Sequence, residues 1–143
     1  MYCNKKETTM KRIAKIKGKD YEITALPYIP NEYYTREQFN RRIHNTISTQ
    51  WESYKVAVDM LAHGLHCLGP SSLTDPSQKE MRSALDAIRT AFMLELMKYL
   101  LIIDKLPEGA VSVDWNQSGG NLDVWSYDIF GHLIPESEYT ILF

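Results

Sequence analysis

The sequence predicts an α+β protein in which a long antiparallel helical hairpin packs on an antiparallel sheet, with its elements in the order ββααβββ. Segments with the two-residue period of β-strands occur near both ends of the chain. Between them lie two long segments whose apolar residues recur at spacings of three and four, the period of an α-helix. Because strands and helices are grouped rather than alternating, we expect two layers. The 143 residues are enough for one core, so we predict a single domain at 12–143 after a flexible polar tail at 1–11.

The segment RIAKIKGKDYEITAL is typical of a β-hairpin. We place its two-residue turn at Gly18 and Lys19, because glycine at the first position suits a type II′ turn. The resulting register faces apolar residues on one side and opposite charges on the other: Ile16 with Tyr21, Ala14 with Ile23, Lys17 with Asp20 and Lys15 with Glu22.

The first helix is predicted to begin after Thr35, which can form a capping box with Gln38. Its apolar residues recur from Phe39 to Leu68, and a Gly-Pro pair then ends it. Residues 45–50 are β-branched or small and polar, and such residues are poor helix formers. A kink or break there is therefore the alternative to one continuous helix.

The second helix has clear start signals, with Asp75 as the cap, Pro76 at the first position and Gln78 completing a capping box. Its second half, at 91–104, is apolar nearly all the way round. One partner helix cannot cover that circumference, so we expect this segment to lie between the first helix and the sheet. A homo-oligomer interface is the competing explanation, and the length of the helices also favours an oligomer.

Three segments near the C-terminus, AVSVDW, NLDVWSY and EYTILF, alternate with the strand period and predict a three-stranded meander. Strand alternation sends Trp125 and Tyr127 to the face opposite Leu122 and Val124. Either pair can fill the core, so the sequence leaves the exposed face open.

The two ends of the chain are oppositely charged. Residues 1–19 hold seven lysines and arginines against one glutamate, net +6, and residues 104–143 hold one lysine against seven carboxylates, net −6. The two ends either neutralise each other within the fold or form partner-facing patches. Exposed aromatic residues ringed by carboxylates suit an interface with a basic protein. The candidate partner-binding residues are Asp114, Trp115, Asp123, Trp125, Tyr127 and Asp128.

A second candidate site is a set of cations on the helices, which could hold a phosphorylated ligand or a nucleotide in an oligomer. Cations in the first turns of a helix oppose its dipole, and a nearby anion would relieve them. The candidates are Arg36, Arg41, Arg42 and His44 in the first helix and Arg82 and Arg89 in the second. A solvated face is the alternative for the first group, and a salt-bridge ladder through Asp86 is the alternative for the second.

Metal binding and catalysis are not expected. His63, His66 and Cys67 lie close together in the first helix, but they do not complete a zinc site, and no other cofactor motif is present. We find no known catalytic motif, so the chain is not expected to be an enzyme. Nucleic-acid binding by the basic N-terminus remains an alternative. It is less favoured, because several of those cations already lie on the solvated face of the predicted hairpin.

The composition indicates a cytoplasmic protein. The start of the chain has no apolar run typical of a secretory signal, no segment is long enough to cross a membrane, and the two cysteines do not suggest a disulfide framework. Together these features predict a non-catalytic interaction protein, with an accessory or inhibitory role of the mobile-element type against a basic, nucleic-acid-handling protein.

Overall fold

The computed structural model describes residues 9–68 and 76–143, with side chains at 9–63 and 79–143. The α+β class and the order ββααβββ are confirmed. The elements are β1 (Met10–Ile16), β2 (Lys19–Ala25), α1 (Arg36–Leu68), α2 (Pro76–Ile102), β3 (Ser112–Ser118), β4 (Asn121–Tyr127) and β5 (Tyr139–Ile141). Strand β1 includes Met10 and Lys11, so the boundary predicted at residue 12 falls inside the strand.

The β1–β2 hairpin differs from the prediction in its turn. Ile16 pairs with Lys19 and Ala14 pairs with Tyr21, so the turn residues are Lys17 and Gly18. Both have positive φ, 53° and 77°, which is the conformation of a type I′ turn and matches the twist of the strands.

The shift moves the pairing by two residues and therefore leaves each side chain on its predicted face. Ala14 and Ile23 are both buried. The charge pairs do change, because Lys15 now contacts Asp20 at 2.7 Å and Lys17 reaches Asp86 of α2 at 2.8 Å.

Helix α1 runs through residues 45–50 as one continuous helix, so the alternative of a break there is wrong. At 33 residues it is about 50 Å long. The Thr35 amide donates to Gln38 Oε1 at 2.8 Å and the Gln38 amide donates to Thr35 Oγ1 at 3.1 Å, which is the predicted capping box. Within the poor helix formers, Ile47 is buried and the Thr46 hydroxyl donates to the Arg42 carbonyl at 2.9 Å. Burial of Ile47 compensates for weak helix propensity, and the Thr46 bond keeps that hydroxyl paired within the helix.

Helix α2 begins at Pro76, as predicted, whereas the caps proposed at Asp75 and Gln78 lie outside the described residues and side chains. Its C-terminus is closed by a Schellman motif. The Lys105 amide donates to the Leu100 carbonyl at 2.8 Å and the Asp104 amide donates to the Leu101 carbonyl at 3.2 Å. Asp104 has a φ of 61°, the left-handed position that glycine usually occupies.

The five strands form two antiparallel sheets, β1–β2 and β3–β4–β5, rather than one. The two sheets are joined near the start of β3, where the Lys15 amide donates to the Val111 carbonyl at 2.8 Å. The Arg12 guanidinium donates to the carbonyls of Leu106 and Pro107, both at 2.9 Å. These bonds fix the N-terminal hairpin to the chain that follows α2.

The all-round apolar segment of α2 is buried between α1 and the sheets, as predicted. Its buried side chains are Phe92, Met93, Leu96, Met97, Tyr99 and Leu100. They share one core with Ala14 and Ile23 of the hairpin and with Leu122 and Val124 of β4.

The helical hairpin is less well covered at its far end. Among the described side chains at 52–63 and 79–91, none is fully buried. Val56 and Met60, one turn apart on α1, are exposed at 57% and 70%. In the part of the chain that the structure describes, neither helix has the length and apolar character that a membrane span requires.

Candidate protein-interaction surface

The structure decides which face of the meander is buried. Leu122, Val124 and Ser126 of β4 are fully buried, together with Val113 of β3 and Ile141 of β5. Because strand side chains alternate, Asp123, Trp125 and Tyr127 lie on the opposite face, which we call the outer face. The aliphatic residues therefore form the core, and the acidic aromatic face is in contact with solvent.

Trp125 and Tyr127 form one aromatic unit on the outer face. The Trp125 Nε1–H donates to the Tyr127 hydroxyl at 2.8 Å, and both side chains are half-buried. This bond fixes both ring orientations. On the β3 side their cross-strand neighbours are short and polar, with Asp114 opposite Trp125 and Ser112 opposite Tyr127. No large side chain of β3 therefore covers the two rings.

The three candidate carboxylates differ in how far their charge is already neutralised. Asp114 forms an ion pair with Arg89 of α2 and also accepts a hydrogen bond from the Trp115 amide at 2.9 Å. Asp123 accepts a hydrogen bond from the neutral Thr140 hydroxyl at 2.7 Å, so it keeps its charge.

Asp128 accepts hydrogen bonds from the amides of Phe130 and His132, both at 2.9 Å, and these donors are also neutral. Its nearest ionisable neighbour is the His132 ring, at 3.9 Å. Asp123 and Asp128 are therefore the carboxylates that can attract a basic partner.

Trp115 was predicted to share this face, and the structure places it on the inner one. Its ring makes edge contacts with Tyr54 and Phe92 at centroid distances of 5.8 and 5.2 Å. The Arg89 guanidinium lies 4.1 Å from the ring centroid. Alternation along β3 explains the difference, because Trp115 is two residues from the buried Val113.

The turn after β4 contributes apolar residues that the sequence did not single out. The Gly131 amide donates to the Asp128 carbonyl at 3.0 Å, and Gly131 has a φ of 83°. This turn leaves Ile129 and Phe130 exposed at 58% and 80%. Turns usually contain polar residues. The two large apolar residues between Asp128 and Gly131 were therefore the sequence signal that could have indicated this exposed surface.

Leu133 belongs to the same surface, since it forms a bridge with Tyr127 and is half exposed. Bridge partners in an antiparallel pair share a face of the sheet. We define the outer patch as Asp123, Trp125, Tyr127, Asp128, Ile129, Phe130 and Leu133.

The two charged ends of the chain do not neutralise each other directly in the described part. No ion pair joins the basic residues at 10–19 to the acidic residues at 104–143. The basic residues instead contact Asp20, Asp86 and backbone carbonyls. The acidic surface thus keeps most of its charge.

The cations proposed as an anion site are divided between the two ends of the helical hairpin. Arg36 donates to Asn40 Oδ1 at 3.3 Å and lies over the Tyr28 ring, whereas Arg41 and Arg42 are exposed. The His44 Nε2 contacts the Leu142 carbonyl at 2.7 Å.

On α2, Asp86 pairs with Lys17 and Arg89 pairs with Asp114, so the predicted ladder through Asp86 is not formed. Arg82 is exposed. Arg82 and Arg89 therefore do not form a matched clamp, because Arg89 already has a carboxylate partner.

A metal centre is not formed by the residues that the structure describes, which contain no group of three histidine, cysteine, aspartate or glutamate side chains suited to hold an ion. His63 is exposed, and the side chains of His66 and Cys67 lie outside the described set. Comparison with protein-family models, curated proteins and solved structures finds no match to this chain.

Proposed function

We propose that this protein is a non-catalytic interaction module that binds a positively charged protein partner through the outer patch. The observation that carries the proposal is the bonded Trp125–Tyr127 pair, flanked by the unneutralised Asp123 and by the exposed Phe130. Buried aromatic anchors supply most of the binding energy in protein interfaces, and surrounding charges select the partner and speed its approach.

The partner class follows from the charge. A partner rich in lysine and arginine, as nucleic-acid-handling proteins are, complements carboxylates that have only neutral donors. Binding such a partner would give the protein an accessory or inhibitory role, in the manner of many proteins of mobile elements.

The experiment is capture of partners from the native host, followed by measurement of affinity for the captured protein. Asp123→Lys and Phe130→Ser change exposed or half-exposed residues and leave the core intact. We expect each to weaken binding by at least tenfold, and we expect affinity to fall as salt rises. Ile13→Ser, at a residue of β1 exposed at 48%, is the matched control and should bind normally. An acidic partner, or a partner held equally by Asp123→Lys, would contradict the proposal.

We further propose that the far end of the helical hairpin pairs with a second copy of the chain. The exposed Val56 and Met60 and the absence of fully buried described side chains at 52–63 and 79–91 support this. Light scattering should give a multiple of 16.6 kDa, and Val56→Ser with Met60→Ser should return the monomer mass. A monomeric wild type at high concentration would rule this pairing out.

A further inference from the structure

A cavity lies where α1, the C-terminal half of α2 and the end of β2 meet. Its volume is about 540 Å³, inside the range of roughly 300–1,000 Å³ that is usual for small-molecule sites. No residue of the outer patch lines it. Its apolar wall consists of Ala25, Leu26, Phe39, Ile43, Ile47 and Ile102.

Polar residues also line the cavity: Thr9, Thr24, Thr46, Gln50, Glu95, Lys98 and Tyr99. Gln50 Nε2 donates to Glu95 Oε1 at 3.1 Å, which occupies one oxygen of the only carboxylate in the wall. Lys98 also lines the cavity, and its side chain is exposed to solvent. A concave wall that combines apolar side chains with polar groups is typical of a site for a small ligand.

One side of the cavity continues into a shallow groove along α1. Thr46 and Gln50 line both, and Arg41 and Arg42 line the groove. Neither arginine forms an ion pair with a described residue, although Glu37 lies four residues before Arg41 on α1. Lys98 in the wall and Arg42 in the groove therefore lie beside an apolar opening that contains one carboxylate, whereas Arg41 lies further round α1.

We propose that this cavity binds a single-chain anionic amphiphile, taken up as a free molecule, with its alkyl chain against the apolar wall and its carboxylate at Arg42 in the adjoining groove. Each methylene buried in the cavity contributes about fourfold in affinity. A guanidinium supplies paired N–H donors that match a carboxylate, and the arginines are otherwise unpaired. A polar phosphorylated metabolite would leave the apolar wall uncovered, so the cavity favours an amphiphile over a nucleotide.

The test is calorimetric titration of the full chain with decanoate, with octanoate and with the neutral analogue decanol, each below its aggregation concentration. We expect one decanoate per chain. Octanoate should bind about 15-fold more weakly because two methylenes are lost, and decanol should bind about tenfold more weakly because the charged contact is lost.

Three variants assign the site. Arg42→Gln should weaken decanoate by about tenfold and leave decanol unchanged. Thr46→Trp, at an exposed position on the mouth, should block both ligands. Arg82→Gln removes the same charge from an exposed arginine on α2, and it should bind decanoate as the wild type does.

Several results would overturn the assignment. These are no decanoate binding by the wild type, equal affinity for decanol and decanoate, or binding unchanged by both Arg42→Gln and Thr46→Trp. Retention on phosphatidylglycerol vesicles without binding of free decanoate would show a membrane surface as the ligand and would also overturn it. Capture of the basic partner through the outer patch is measured separately, so the two proposals fail independently.

Discussion

Asp104 ends α2 in the left-handed conformation, with a φ of 61°. This conformation strains residues with a Cβ atom, and a carboxylate also opposes the negative end of the helix dipole. We expect Asp104→Gly to raise the free energy of unfolding by about 0.5–1 kcal/mol, with Asp104→Ala gaining less because it keeps the Cβ. Urea denaturation with an unchanged slope measures this. A lower midpoint for Asp104→Gly than for the wild type would show that the side chain stabilises the motif.

Tyr99 is the residue whose ionisation the fold changes most clearly. Burial, together with the nearby Tyr139, raises the pKa of Tyr99 to about 12. The folded protein therefore keeps the phenol protonated where the unfolded chain, with a pKa near 10, ionises it.

Stability from Tyr99 is present below pH 10 and is lost as pH rises through 12. We expect this loss to be roughly 2–3 kcal/mol. Tyr99→Phe cannot ionise, so it should lose less stability than the wild type over the same pH interval in denaturant unfolding. Parallel losses in the two proteins would mean that the fold does not keep the Tyr99 phenol protonated.

At the scale of elements, the Thr35–Gln38 capping box fixes the start of α1 through two reciprocal hydrogen bonds. Thr35→Ala removes the side-chain acceptor, and we expect a loss of about 1 kcal/mol. Thr49→Ala is the control, because Thr49 lies inside the continuous helix, where alanine is the better helix former. It should be neutral or slightly stabilising in thermal unfolding. A loss at Thr49→Ala as large as at Thr35→Ala would indicate a second helix start at that position.

The sequence predicted the elements well because their signals are local. Caps and apolar periods lie within a few residues of the structure they specify, as at Thr35 and Pro76. The predicted position of the first hairpin turn was wrong because Lys17 adopts positive φ, which glycine preferences alone did not indicate. Helix propensity suggested a break at 45–50 that is not present. Propensity is a local property, whereas the burial of Ile47, which stabilises the helix there, is a tertiary effect.

The candidate site was only partly predictable, for the same physical reason. The period of β4 separated its aromatic face from its aliphatic face, yet both faces could fill a core, and only packing on α2 decides between them. The neutralisation of Asp114 depends on Arg89, which is 25 residues away in the chain. Phe130 was missed because a turn is expected to be polar.

At the scale of the whole molecule, the core is concentrated at one end of the helical hairpin. The last buried residue of α1 is Trp51 among its described side chains, and the first of α2 is Phe92. Backbone amides at 54–63 and 79–90 should therefore exchange through local openings of lower free energy than amides at 39–51 and 92–102.

Hydrogen exchange followed by mass spectrometry measures this difference. Protection of the far end should rise with protein concentration if a second copy covers it. Uniform protection along both helices in a dilute monomer would contradict the uneven core.

The bonds from Arg12 to the carbonyls of Leu106 and Pro107 span 94 and 95 residues. On a ribosome that adds about 5–20 residues per second, these acceptors emerge roughly 5–20 s after the arginine. The first hairpin leaves the exit tunnel before the surface that holds it has been made, and a two-stranded hairpin alone is only marginally stable in water. Strands β1 and β2 are therefore among the last elements to reach their final positions. Although they are synthesised first, they can dock only after residues 106 and 107 have been made.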